Sequence, residues 1–143
     1  MTITESISLN SQEKGSTNTL TIASVHEVSQ RIITTTTTER IILAFDANIL
    51  AGQFVESTVK YIRITNKDAT NHCTLVFRSG TAECAHKLDA GHSFIYAGDN
   101  SGGVVATHDA EDTALTVSLA TLDDITALAD TADVDLELFI AGT

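Results

Sequence analysis

Short stretches of alternating apolar and polar residues cover most of the chain from about residue 20 onward. Successive side chains of a strand point to opposite faces, so a period of two predicts half-buried β-strands. The stretches recur every 8–12 residues or so, separated by Gly, Asn, Asp and Ser, which is typical of an antiparallel β-sandwich or jelly roll. They are Thr19–Val25, Val28–Phe45, Ser57–Asn66, His72–Phe77, Glu83–Leu88, His92–Ala97, Gly103–Thr107, Ala114–Leu122 and Val134–Gly142. We predict an all-β single domain.

Three segments depart from this pattern. Residues 1–19 are rich in Ser, Thr, Asn and Gln with weak periodicity, and predict an extended N-terminal arm before a β-sandwich domain at 20–143. The threonine run Thr34–Thr38 has apolar β-formers on both sides, which favours an exposed strand or turn over a flexible tract. Leu122–Ala132 has helical spacing with Asp123 as a cap, and predicts a short helix or turn.

The stretch Tyr61–Gly80 predicts a β-hairpin whose polar turn is Asn66–Asn71. It contains an adjacent pair, His72 and Cys73, that invites a catalytic or metal-binding hypothesis. A nucleophilic Cys needs its base within hydrogen-bond reach, and neighbours on a strand point to opposite faces. We therefore expect this pair to form no site, and we expect Ile62, Ile64, Cys73, Leu75 and Phe77 to form the core of the hairpin.

The two cysteines, Cys73 and Cys84, have no CxxC spacing, and strand parity predicts both as small core residues with free thiols. A disulfide between them stays open if the strands pair in a suitable register. The histidines His26, His72, His86, His92 and His108 show no metal-ligand spacing, so zinc is not predicted.

Two acidic segments, residues 108–112 (HDAED) and 130–135 (DTADVD), have weak calcium potential but lack the EF-hand register, and predict solvated loops. Residues 98–103 (GDNSGG) predict a hairpin loop and not a phosphate cradle, because no Lys or Thr follows. The carboxylates do not pair as a glycosidase requires. We assign no catalytic, cofactor-binding or metal-binding residue and predict a protein that is not an enzyme.

The net charge of the chain and its distribution restrict the classes of partner that we expect. The chain has 143 residues and a formal net charge of −11, and all eight basic residues precede Asp99, with ten of the acidic residues from Asp99 onward. An acidic surface repels phosphate, so nucleic acid is not expected as a partner. The N-terminus does not resemble a signal peptide, and no apolar run is long enough to span a bilayer, so a membrane is not expected either.

A resemblance to a known class of proteins suggests a function. The residues Tyr61–Asn66, Cys73–Phe77 and Leu88, Ala90, Gly91, Ser93 and Phe94 resemble a pattern of small β-sandwich virion structural proteins of tailed bacteriophages. About 40 residues carry the likeness, which implies a virion protein assembled in the host cytoplasm. We expect a capsid decoration or cement protein that binds and stabilises the major capsid protein or other virion proteins, itself a homo-oligomer with a trimer favoured.

Three other functions stay open beside this one. One, a calcium-dependent adhesion or enzyme-accessory domain, rests on the two acidic segments alone. A tail or fibre-associated structural protein would share the style of sandwich, although fibres more often show repeats. A carbohydrate-binding module would need exposed aromatic side chains, and Tyr61, Tyr96 and five Phe are the only aromatic residues of the chain.

Overall fold

The structure is a computed structural model that describes residues 1–5, 8–9, 12–13, 18–97, 105–106 and 120–143. All regular structure in these residues is β-strand. In chain order the strands are β1 (Thr2–Glu5), β2 (Ser8–Leu9), β3 (Gln12–Glu13), β4 (Asn18–Thr21), β5 (Glu27–Thr35), β6 (Arg40–Asp46), β7 (Phe54–Val55), β8 (Val59–Asn66), β9 (Cys73–Ser79), β10 (Ala82–Leu88), β11 (Ser93–Ala97), β12 (Val105–Ala106), β13 (Ala120–Thr121), β14 (Asp124–Ala129) and β15 (Val134–Gly142). The predicted all-β class is confirmed. None of these segments is a helix of the length and apolarity that crossing a bilayer requires.

Two main sheets form the sandwich. The first sheet has the order β11-β8-β15-β5 and is antiparallel throughout. The second has the order β10-β9-β14-β6, with the short β7 added parallel to β6. The connections β5–β6, β8–β9, β10–β11 and β14–β15 each lead from one sheet to the other. The predicted antiparallel β-sandwich is therefore confirmed.

The main core lies between the two sheets and follows the predicted alternation. Every second residue of β15 is 2% exposed or less, and the strands beside and opposite it contribute their alternate residues to the same cluster. The inward residues of the long strands are Val134, Leu136, Leu138, Ile140, Ile62, Ile64, Cys73, Leu75, Ile125, Ala127 and Ala129. The expected hairpin-core residues Ile62, Ile64, Cys73, Leu75 and Phe77 all lie in this cluster or pack against it.

The hairpin predicted for Tyr61–Gly80 is wrong, although both of its strands exist. β8 belongs to the first sheet and β9 to the second, so residues 67–72 carry the chain across the sandwich. The hairpin of this region is β9–β10, in which Ser79 pairs with Ala82 across a two-residue loop. Gly80 has φ +59° there, the left-handed conformation that the first loop position of a type II′ turn requires.

The helix predicted at Leu122–Ala132 is also wrong, because Asp124–Ala129 is strand β14. It lies between β9 and β6 and pairs with both. Its residues Ile125, Ala127 and Ala129 alternate into the core. A six-residue segment with Ala and Leu fits both periods, and burial between two strands decides for the strand.

The threonine run is partly strand and partly turn, as expected, but it is not exposed throughout, because Thr35 is buried. Thr34 and Thr35 end β5, and residues 36–38 form the turn into β6. Thr35 is 1% exposed, and its hydroxyl donates to the carbonyl of Ala127 at 3.1 Å. The run therefore contributes one buried cross-sheet hydrogen bond.

The described N-terminal residues pair with a later segment of the chain. β1 lies antiparallel to β4, and the N-terminal ammonium donates to the carbonyl of Ile22 at 2.8 Å. A second apolar cluster forms where this hairpin meets the outer face of the first sheet. Its members are Ile22, Tyr61 and Ala141, with Met1, Ile3, Leu20, Val25 and Phe139 packed against them.

Candidate interaction surfaces at the two open sides

A β-sandwich has two open sides, where the edge strands of its sheets face each other. One side here lies between β10 and β11, and we call it the closed side. The other lies along β5 and β6, and we call it the β5 side. The two differ in what fills them.

Aromatic rings fill the closed side. The rings of Phe77 and Phe94 lie 4.8 Å apart between centroids, and the ring of His86 lies 5.6 Å from that of Phe94. Phe94 and Tyr96 point inward, opposite Ile64 and Ile62 of β8, and pack against the main core. Phe77, Phe94 and Tyr96 are half-buried here and His86 is exposed, so aromatic rings of the chain itself occupy this side.

Asn66 ties the strand ends together at the closed side. Its side chain is fully buried, and its amide nitrogen donates to the carbonyls of Asn71 at 2.9 Å and Leu88 at 3.2 Å. Its amide oxygen accepts from the backbone N–H of Asp68 at 2.9 Å. One polar side chain thereby joins the end of β8, the crossing loop and the end of β10.

Asp68 and Gly91 complete this corner. The Asp68 carboxylate accepts the backbone N–H groups of Asn71 at 2.6 Å and Thr70 at 2.7 Å. These bonds to the charged form lower the pKa of Asp68 below its ordinary value. Gly91 has φ +73° and donates its N–H to the carbonyl of Asn66 at 3.1 Å, so the corner needs a residue that adopts this conformation.

The β5 side has an edge strand with exposed apolar side chains. β5 pairs with β15 along its whole length, and no other described strand pairs with it. Its outward residues Val28 and Ile32 are 56% and 65% exposed, and Ile41 at the start of β6 is 62% exposed. A long edge strand with apolar side chains is a template for pairing with another chain.

A cleft of about 230 Å³ opens on the β5 side. Its lining residues are Arg31, Ile33, Thr34, Thr35, Arg40, Ile41 and Ile42. The Arg31 guanidinium donates to the carbonyl of Ile42 at 2.8 Å, a bond between the two sheets.

The two arginines of this cleft differ from most other cations of the described chain, although Lys60, whose ammonium donates to the carbonyl of Ser57, also forms no ion pair. Arg63, Lys67, Arg78 and Lys87 all form ion pairs with carboxylates. Within the described residues Arg31 and Arg40 form none. The two arginines that have no carboxylate partner among the described residues therefore lie at one place, beside the edge of β5 that no described strand covers.

The outer faces of both sheets carry ion-pair networks. On the first sheet Glu137 binds Arg63 at 2.9 Å and Gln30 at 3.0 Å, and Arg63 lies 5.5 Å from the ring centre of Phe139. On the second sheet Arg78 binds Glu39 at 2.6 Å and Glu83 at 3.0 Å. The Glu83 hydrogen bond raises the pKa of Arg78. The charged side chains named here on each outer face are therefore paired with one another.

The pair His72–Cys73 is separated as expected. Cys73 is fully buried in the core, and burial raises the pKa of its thiol to about 11. His72 lies outside, with its Nδ1 3.5 Å from a carboxylate oxygen of Asp130. The structure does not bring the two side chains together.

Cys84 corrects part of the cysteine prediction. It faces inward opposite Phe77, but it lies on edge strand β10 and is only half-buried. Cys73 lies opposite Leu88, four residues further along the ladder, which is beyond the span of a disulfide. Both thiols are free.

The remaining candidate sites are dispersed or lie outside the described residues. Residues 98–103 and 108–112, including His108, are among those not described. In the acidic segment 130–135, Asp130 faces His72 and Asp135 accepts from the Thr34 hydroxyl at 2.6 Å. The described part of the chain contains no group of three or more His, Cys, Asp or Glu that could hold a metal ion. Tyr61 is 6% exposed beneath the N-terminal residues, and Tyr96 packs against the core.

Comparison with known proteins adds a fold likeness. No family model and no curated protein matches the sequence. Among solved structures, a chain from the work described as "Bacillus endospore appendages form a novel family of disulfide-linked pili" is similar at 18% identity and a TM-score of 0.46. The match covers 87% of the present chain and 94% of that chain. A likeness at this level carries no argument about function.

Proposed function

We propose that this protein is a non-enzymatic structural subunit, which joins a protein assembly through the β5 side of its sandwich. The observation that carries the proposal is the nine-residue strand β5, which lacks a partner on one side among the described residues and exposes Val28 and Ile32. Natural sheets usually shorten, bulge or charge such edges, or insert proline, to prevent pairing. β5 is long, is regularly paired to β15 and contains no proline, and its two charges, Glu27 and Arg31, are of opposite sign.

Within this class we propose a virion protein, and most specifically a capsid decoration protein. The support is the resemblance of Tyr61–Asn66 and Leu88–Phe94 to phage virion sandwiches. These segments form β8 and the corner that leads into β11, which pair with each other at the closed side. They are the scaffold in this account, and the partner surface lies at the opposite edge of the same sheet.

The docking surface proposed here differs from the N-terminal arm expected from the sequence. Met1, Ile3 and Leu20 pack on Tyr61 and its neighbours, so their apolar surface already has a partner within the chain. Removing residues 1–19 would uncover Tyr61 as well as delete an arm. A point change on β5 is therefore the cleaner test of docking.

The test is quantitative mass spectrometry of purified phage particles produced from the genome that encodes this chain. The proposal predicts a fixed copy number relative to the coat protein, with loss of occupancy for Ile32→Gln. Ile95→Gln is the matched control, because Ile95 is 54% exposed on β11 at the opposite edge of the same sheet. Recovery with tails alone would favour the tail-associated alternative over decoration. Absence from particles would contradict the virion function.

A further inference from the structure

The outer edge of β5, with which no described strand pairs, is self-complementary. This complementarity indicates a second copy of the chain as its partner. Along the outer face of the strand, Val28, Gln30 and Ile32 follow one another at every second position. On the other face, Glu27 and Arg31 are exposed and lie four residues apart. Neither charge has an ion-pair partner among the described residues.

We propose that β5 pairs antiparallel with β5 of a second copy, across a two-fold axis perpendicular to the first sheet. The two four-stranded sheets would then form one continuous sheet of eight strands. A two-fold interface is isologous, so each residue i that meets j is matched by j meeting i. This deepens the proposed function, on which it rests for the role of β5 as an assembly edge.

The register follows from the side chains. Only pairing centred on Gln30 places Val28 of each copy directly opposite Ile32 of the other. In that register Arg31 lies opposite Ser29 of the second copy and diagonal to both its Glu27 and its Arg31, so each guanidinium has one carboxylate within reach of a long side chain. Pairing centred on Arg31 would place the two guanidinium groups opposite each other, which is unfavourable.

The register also satisfies the backbone. In an antiparallel ladder alternate residues direct both N–H and C=O to the same neighbour. Val28 and Ile32 have the same parity along β5, as do Ser29 and Arg31. The free groups of one strand therefore meet the free groups of the other, and the outward faces of both sheets stay on one side.

The first experiment measures the mass of the full chain by light scattering or sedimentation between about 1 and 500 µM, concentrations that bracket a small interface. Salt near 0.15 M limits repulsion between chains of charge −11, because the Debye length is then about 8 Å. We expect a concentration-dependent species of twice the 15.2 kDa chain mass. We expect Ile32→Gln to weaken association at least about tenfold, and Ile95→Gln to leave it unchanged. A chain that stays monomeric throughout, or a dimer indifferent to Ile32→Gln, overturns the proposal.

The second experiment tests the register by charge reversal. Glu27→Arg alone and Arg31→Glu alone should each abolish dimerisation, because every charged diagonal contact across the two-fold axis is then between like charges. Mixed together, the two folded variants should form a heterodimer, since each then offers the charge that the other needs. Circular dichroism and thermal melting check that each variant is folded. Failure of the mixture to associate overturns the register.

The outcomes separate this inference from the proposed function. A monomeric chain that still occurs in particles overturns the two-fold pairing and leaves the structural role intact. A dimer that is absent from particles supports the pairing and contradicts the virion role.

Discussion

The two open sides of the sandwich differ in whether side chains of the chain itself occupy them. On the closed side the chain supplies Phe77 of β9, Phe94 of β11 and His86 of β10, whose rings pack against one another at tilted angles. On the β5 side it leaves a cleft, two arginines without carboxylate partners and an edge with exposed Val28 and Ile32. The fold is stabilised by the first side without help from another molecule. The open β5 side lowers the stability of the monomer little. It is the side at which binding of a partner would bury the most exposed apolar surface.

The largest predicted effect compares one side chain from each side. Phe94→Ala should lower the free energy of unfolding by about 2–4 kcal/mol, somewhat less than a fully buried Phe because Phe94 is half-buried. Ile33→Ala, beside the cleft, should cost about 1–2 kcal/mol, because the removed methyl groups border space that is already open. Urea unfolding at low protein concentration measures both. A cost for Ile33→Ala equal to that of Phe94→Ala would break the comparison.

Asn66 tests how firmly the closed side is held. Asn66→Ala leaves the carbonyls of Asn71 and Leu88 without this donor, and should destabilise the protein by about 1–3 kcal/mol. Asn48→Ala is the control, because Asn48 lies in an exposed turn after β6 and should change stability by less than about 0.5 kcal/mol. Equal unfolding midpoints for the two variants would contradict the role given to Asn66.

Acid should loosen the closed side through Asp68. Its pKa is lowered in the fold, so its stabilising effect is present above the ordinary value of 3.8 and is lost as the pH falls through the lower folded value. Asp124 acts in the opposite direction, because burial raises its pKa. The comparison of wild type with Asp68→Asn therefore isolates Asp68. The stability difference between the two should shrink from pH 6 toward about pH 2, and a difference independent of pH would contradict this account.

The smallest effect concerns the two thiols. Cys73 is buried with a pKa of about 11, so its reactive thiolate fraction at pH 7 is on the order of 10⁻⁴ even before access is considered. Cys84 lies half-buried on the rim of the closed side. In the native protein a thiol reagent should label Cys84 and spare Cys73, and in denaturant it should label both. Peptide mapping of the labelled sites decides this, and prompt native labelling of Cys73 would contradict its place in the core.

The alternation of β15 and β9 predicts which residues are buried, because periodicity reports directly on the face that meets the core. It does not report which strand lies alongside, so β8 and β9 were predicted as a hairpin and belong to different sheets. For the same reason the sequence does not predict the exposed apolar residues of the β5 side. Val28 and Ile32 resemble core residues until β5 is known to be an edge strand. Asn66 was predicted in a turn, and its burial depends on contacts with residues more than twenty positions away. Segment β14 was too short for its period to separate strand from helix.

Hydrogen exchange measured at two protein concentrations tests the central claim most directly, because it reports on each edge strand of the intact chain. At about 1 µM, the N–H groups on the outer edges of β5 and β11 should exchange rapidly, since no described strand of the chain pairs with either outer edge. At about 500 µM, the account predicts that residues 27–35 become protected while residues 93–97 exchange at an unchanged rate. Exchange of residues 27–35 that does not depend on concentration, with or without a change at residues 93–97, would contradict β5 as the assembly edge.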